Sequence, residues 1–250
     1  MIILAVHSTS AHLGVAVTSD DLVLAKSILP PGREHLENLA LMIDDVIDRS
    51  GVHLKEIDGF GVALGPGTFS GIRIGLATIK GMSLALKKPV AGAPSLEILA
   101  WQALKENESG AALIDARRNE IYVGLYKKSA GRLLRLNEPL LVSSADLNDY
   151  LEKFPGPLVL CGDSAAESLM KSVSRAVRTM IVVPSPAACA ILAGQQLRHG
   201  KTDDLHSIAP TYIRRSDAEE KKSPGMRSKI RETPFTRENV DNHPFVELIR

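Results

Sequence analysis

Apolar and polar positions along this chain fall into two successive rounds of strands and helices. Residues 2–6, 13–18 and 22–29 are rich in Val, Ile and Leu and are separated by polar turns at 8–12 and 19–21. That pattern predicts three short strands in an antiparallel meander. Over 34–49 the positions Leu36, Leu39, Ala40, Ile43, Val46 and Ile47 recur at helical spacing, and Gly51 provides a stop. A strand at 59–64, a helix at 71–86, a short strand at 89–92 and a helix from Ser95 to Leu104 follow, with Ser95 placed to cap the last.

The polar stretch 105–110 reads as a linker, and the pattern then begins again. Strands are predicted at 111–115, 121–126, 158–161 and 180–183, with helices at 164–172 and 187–197. The chain is therefore read as α/β, with one lobe over 1–104 and a second over 111–215. Residues 216–250 are rich in charged residues, Ser and Pro, and predict a polar, flexible tail.

The helix at 71–86 departs from the usual amphipathic pattern. Only Arg73 and Lys80 are charged along it. Ile72, Leu76, Ile79 and Met82 form one apolar face, while Ile74, Ala77, Gly81 and Ala85 form a second face of smaller residues. A helix that is apolar all round is buried all round. One face is expected on the core and the other on something else.

Composition narrows the setting. A chain of 250 residues, 44% of them hydrophobic, can build a substantial core. A formal net charge of +1 excludes a global field that draws the protein to nucleic acid or a membrane. Cys161 and Cys189 form no CxxC and no zinc-ligand spacing, and are read as two buried thiols in a reducing compartment rather than one disulfide. The N-terminal residues are read as a first strand and not a signal peptide, and no apolar run is long enough to cross a bilayer. A cytoplasmic location is expected.

Candidate chemistry is sparse. The loop carrying Gly65, Gly67, Thr68, Ser70 and Gly71 opens a helix, where free N–H groups and glycines suit a phosphate. It is neither a Walker A nor a GxGxxG sequence, and a tight strand-to-helix turn whose glycines serve close packing is the reading its local features favour. No histidine pair has HExxH or HxxxH spacing, so no metal site is expected. There is no GxSxG elbow, and no catalytic residue is nominated. The segment 115–120 either lines a cleft or is a charged hairpin in which Asp115 satisfies backbone N–H groups.

Five segments taken together resemble one family: residues 3–10, the glycine-rich run 65–81, residues 89–97, residues 114–122 and residues 210–214. In this order they are similar to the bacterial TsaB (YeaZ) family, over residues 1 to about 215. The resemblance implies two lobes of the actin-like ATPase fold. It also implies a part in making threonylcarbamoyladenosine beside the anticodon of tRNAs that read codons beginning with A. In that system the paralogue TsaD is the metal-dependent transferase, TsaB activates it as a heterodimer, and TsaE is an ATPase that joins them.

The resemblance further implies a noncatalytic subunit that needs no cofactor and binds nucleotide weakly at most. Where the catalytic paralogue has its HxxxH metal pair, this chain has Ser95 and Leu99. Where the family usually has Asp at the end of the first strand, it has His7. The family's first-lobe helices pair with the same helices of the partner, which nominates Leu36, Leu39, Ile43, Ile72, Gly75, Leu76 and Ile79 for docking to TsaD. Contact with tRNA is expected through the complex; the basic residues of the tail are interleaved with acids and read as a solvated stretch, with a weak electrostatic contact to tRNA as the alternative. The same surface allows a homodimer when the chain is alone. The rival reading is a nucleotide-binding ATPase or a glycoprotease-like metallohydrolase of the same fold.

Overall fold

The computed structural model describes residues 1–32, 35–174, 176–211 and 213, the side chains of His35 and Leu36 excepted. The tail expected over 216–250 lies outside the described residues. In chain order the elements are β1 (Ile2–His7), β2 (Leu13–Ser19), β3 (Leu22–Leu29), α1 (His35–Ser50), β4 (Gly59–Ala63), α2 (Phe69–Leu86), β5 (Val90–Ala93) and α3 (Ser95–Ala103). There follow β6 (Ser109–Asp115), β7 (Glu120–Ser129), β8 (Arg132–Arg135), β9 (Leu140–Ser143), α4 (Leu147–Glu152), β10 (Val159–Gly162), α5 (Glu167–Lys171), β11 (Arg178–Ile181) and α6 (Pro186–Arg198). The chain divides into two compact units. The first is Met1–Ile98 with Val183–Thr211, and the second contains Leu99–Val182.

The strands of the first unit lie in the order β3-β2-β1-β4-β5. β1, β2 and β3 are antiparallel, and β4 and β5 run parallel to β1. Parallel neighbours need a crossover, and α2 supplies it between β4 and β5. The pleat sorts side chains by size. Leu4, Val6, Phe60 and Val62 form one core with Leu39, Ile43 and Val46 of α1 and Leu76 and Ile79 of α2. Apart from Ile3, the alternate positions Ala5, Gly14, Ala16, Gly59 and Gly61 are small, and α6 lies against them. A Cβ on Gly61 would come within 2.9 Å of the Cβ atoms of both Ala193 and Ala5, and one on Gly14 within 2.8 Å of the Pro186 ring.

This placement of α6 corrects the expected boundary of the second lobe at 111–215. Ala187, Ala188, Ala190, Ala193 and Gly194 give α6 a narrow surface, and the glycine- and alanine-lined side of the first sheet is its complement. The segment after α6 stays with this sheet. The Asp203 N–H donates to the Val90 carbonyl (2.9 Å), and the Gly92 N–H donates to the Asp203 carboxylate (2.7 Å), along the edge of β5.

The second unit repeats the plan. Its order β8-β7-β6-β10-β11 reproduces that of the first sheet, with β9 added on β7. β10 and β11 run parallel to β6, while β7 is antiparallel to it. Leu113, Val123 and Leu160 pack with Leu147 and Leu151 of α4 and Met170 of α5. Both units thus have the mixed sheet with helices expected of an actin-like lobe. Sequence reading did not anticipate β8, β9 or α4.

Candidate functional site

Two segments of the first unit meet at the C-terminal ends of its central strands. One is the chain leaving β1, residues 7–10. The other is the loop from β4 into α2. Gly65 has a left-handed backbone (φ +97°), which turns the chain sharply after the strand. The Thr68 N–H then donates to the Thr9 carbonyl (2.7 Å), and the Ser8 hydroxyl donates to the Gly71 carbonyl (2.7 Å). A Cβ on Gly67 would fall on the Thr9 carbonyl oxygen, and one on Gly71 on the Ser8 carbonyl oxygen. Gly75 approaches the Ser8 hydroxyl in the same way. The glycines therefore let two backbones touch, which is the packing role the sequence left open beside phosphate binding. Of the phosphate candidates, Gly65 and Gly71 are buried, while Gly67, Thr68 and Ser70 are exposed.

Beneath this contact lies a buried polar chain. The Thr9 hydroxyl is 3.1 Å from His7 Nε2 and 2.7 Å from the Ser95 hydroxyl. The Ser95 N–H in turn donates to the Gly65 carbonyl (2.8 Å). His7, Ser8, Thr9 and Ser95 are all buried. Buried polar groups need partners, and here they tie the end of β1, the glycine loop and the start of α3 together. Leu99, the other position compared with the metal pair of the catalytic paralogue, is a buried hydrophobic residue. Among the described residues, no three His, Cys, Asp or Glu side chains group closely enough to hold a metal ion.

The remaining chemistry of the sequence has structural roles. The Asp115 carboxylate accepts the Arg117 N–H (2.8 Å), in the hairpin where Arg117, Arg118 and Asn119 all have left-handed backbones. Cys161 and Cys189 are free and buried. Burial pushes the Cys161 thiol up to about 12 and raises that of Cys189 as well. Neither is a ready nucleophile.

The expected docking residues require a correction. Leu39, Ile43, Ile72, Gly75, Leu76 and Ile79 are all buried within the first unit, and the Leu36 side chain lies outside the described residues. The large side chains of α2 face inward because they bury more apolar area. What α2 leaves outside is the small face: Arg73, Ala77, Gly81, Leu84 and Ala85 are exposed. Leu84 is 71% exposed, and Leu41 on the adjoining α1 is 68% exposed. Space beside Gly81 is open, with nothing within 4 Å of the position a Cβ would take.

A family model described as "TsaD: tRNA N6-adenosine threonylcarbamoyltransferase" matches residues 27–222. The chain belongs to the TsaB (YeaZ) branch of that family. The TsaB of Escherichia coli (strain K12), a tRNA threonylcarbamoyladenosine biosynthesis protein, is 29% identical over 231 residues, covering 90% of this chain and 99% of that one. The TsaB of Bacillus subtilis (strain 168) is 26% identical, covering 88% and 97% respectively. Among solved structures, a Pseudomonas aeruginosa protein described as similar to peptidase YEAZ superposes with a TM-score of 0.76 at 24% identity. It covers 85% of this chain and 99% of its own length. The TsaB fold thus spans both units. Among the described residues no helix is long and apolar enough to cross a membrane.

Proposed function

We propose that this chain is a noncatalytic, activating subunit in the synthesis of threonylcarbamoyladenosine in tRNA. It docks a TsaD-like catalytic chain on the exposed face of α1 and α2, and TsaE joins the pair. The observation that carries this reading is the uncovered small-residue face of α2, with Leu84 exposed on it and Leu41 exposed on α1. Small residues allow a partner helix to approach closely, and Leu41 and Leu84 supply the apolar area. Covering each such leucine contributes on the order of 1.5–3 kcal/mol before the costs of association. The noncatalytic part of the reading is supported by Ser95 and Leu99, neither of which replaces an imidazole at a metal. The subunit requires no cofactor of its own.

Reconstitution tests the reading. TsaD, TsaE and the enzyme that forms the threonylcarbamoyl adenylate are incubated with tRNA, with and without this chain, and modified adenosine is counted. Modification is expected only when the chain is present, and equal modification without it overturns the role. In a second experiment, Ala77→Glu places a carboxylate on the exposed face of α2. Co-elution with TsaD is expected to be lost while the melting temperature of the isolated chain stays unchanged.

A further inference from the structure

Arg73 is the one charged residue of α2 that is exposed on the small face. Its guanidinium carbon lies 3.6 Å from the centroid of the Phe69 ring, one helical turn earlier. Among the described residues, no carboxylate or carbonyl accepts a hydrogen bond from it. Three other cations of the same unit are engaged. Arg49 binds the Asp45 carboxylate, Arg198 binds Asp20 and Asp21, and Lys80 donates to the Ile208 carbonyl. The Phe69 ring covers one face of the Arg73 guanidinium and restrains it. The edge that carries its five N–H donors is left without an acceptor.

We propose that Arg73 selects the partner by pairing with a carboxylate on the partner's facing helix. This rests on the docking reading above and names the chemistry that the partner must present. An arginine covered at an interface without an acceptor is costly, so the occupant must bring one. A second copy docking α2 against α2 cannot supply it, because residues 69–86 contain no Asp or Glu. It would set two guanidinium groups on one apolar seam. Glu37, Asp44 and Asp48 are exposed on α1. A matching partner therefore carries its acid opposite the start of α2 rather than opposite α1. Arg73 in this way disfavours a second copy docked α2 against α2, whereas a copy docked α1 against α2 would offer Glu37, Asp44 or Asp48, an outcome that self-association of the variants separates.

The test is a titration of the full chain against TsaD at low and moderate salt, using Arg73→Lys, Arg73→Ala, Arg73→Glu and the control Ala77→Glu. Each variant's self-association is followed by sedimentation, and its melting temperature is recorded. Arg73→Glu is expected to weaken partner binding about thirtyfold or more, and Arg73→Lys, which keeps the charge but loses the stacked fork of donors, to fall between Arg73→Glu and the parent chain. Salt dependence should flatten in Arg73→Ala, melting temperatures should stay unchanged, and reversing one acid of the partner helix to Lys should rescue Arg73→Glu. Wild-type affinity in Arg73→Glu, with binding lost in Ala77→Glu, overturns the role of Arg73 and leaves the docking face standing. Wild-type affinity in both overturns the docking face and Arg73 with it. A change confined to self-association also overturns the proposal.

Discussion

The helices α2 and α6 are alike in composition and lie on opposite sides of the same five-stranded sheet. Both are rich in alanine, glycine and aliphatic residues, and neither carries an acid. In α6 the small residues face inward, where Ala193 meets Ala5 and the Gly61 backbone. In α2 the order is reversed, so that Ile72, Leu76 and Ile79 enter the core while Ala77, Gly81 and Ala85 face out. The sheet decides which arrangement is adopted. Its α2 side offers Val6 and Val62, and large residues fill the space above them. Its α6 side offers mostly glycine and alanine, with Ile3, and α6 meets it with small residues and Leu197. A run of small residues therefore signals close approach without saying whether the neighbour belongs to the same chain.

Substitutions on the two helices sharpen this contrast. The largest effect is expected at Ile79→Ala, because Ile79 is fully buried under α2. A loss of about 2–5 kcal/mol is expected in urea unfolding followed by circular dichroism. Gly61→Ala tests the α6 side. Its new methyl would meet two Cβ atoms at 2.9 Å, and overpacking of this kind costs about 1–3 kcal/mol. Gly81→Ala should act in the opposite direction. The site is open and mid-helix, so the isolated chain should gain about 1 kcal/mol from helix propensity, read as a higher urea midpoint.

The smallest effect concerns the electrostatic tie at the end of α6. The N-terminal ammonium, 3.1 Å away, and then Arg198 hold the Asp20 carboxyl below its usual range. The folded state therefore favours the ionised form. That stability is present above the ordinary carboxylate pKa and is lost as pH falls through the lowered value. Asp20→Asn should leave the urea midpoint nearly unchanged at neutral pH and flatten its decline on the acid side. Since the group is exposed, the change should be slight and should shrink with added salt.

Much of the fold was legible because it follows from periodicity. β1 to β5, α1 and α2 appear within two residues of the positions the apolar spacing gives. The missed elements are those that pairing creates. β8 and β9 are four residues each and take their form from hydrogen bonds to opposite ends of β7. α4 is a six-residue helix without a full amphipathic period. The two apolar faces of α2 were visible in the sequence, but which one turned inward was not, because that depends on strands far away in the chain. The site shows the same limit. Ser95 was recognised as standing where the paralogue has a metal ligand, yet its bond to Thr9 joins residues 86 positions apart. Nothing local announces that contact.

The return of α6 to the first sheet has a consequence for synthesis on the ribosome. Domains tend to fold in the order in which they emerge, but the N-terminal unit of this chain cannot close when its strands are complete. Its glycine-lined side must remain bare while the whole of Leu99–Val182 is translated, until Pro186–Arg198 leaves the exit tunnel. The strands described in the second unit all lie within Leu99–Val182 and are complete before α6 is made. The later-encoded sheet is therefore the first with all its strands and helices available, and a nascent chain halted before α6 would present an open first sheet to chaperones.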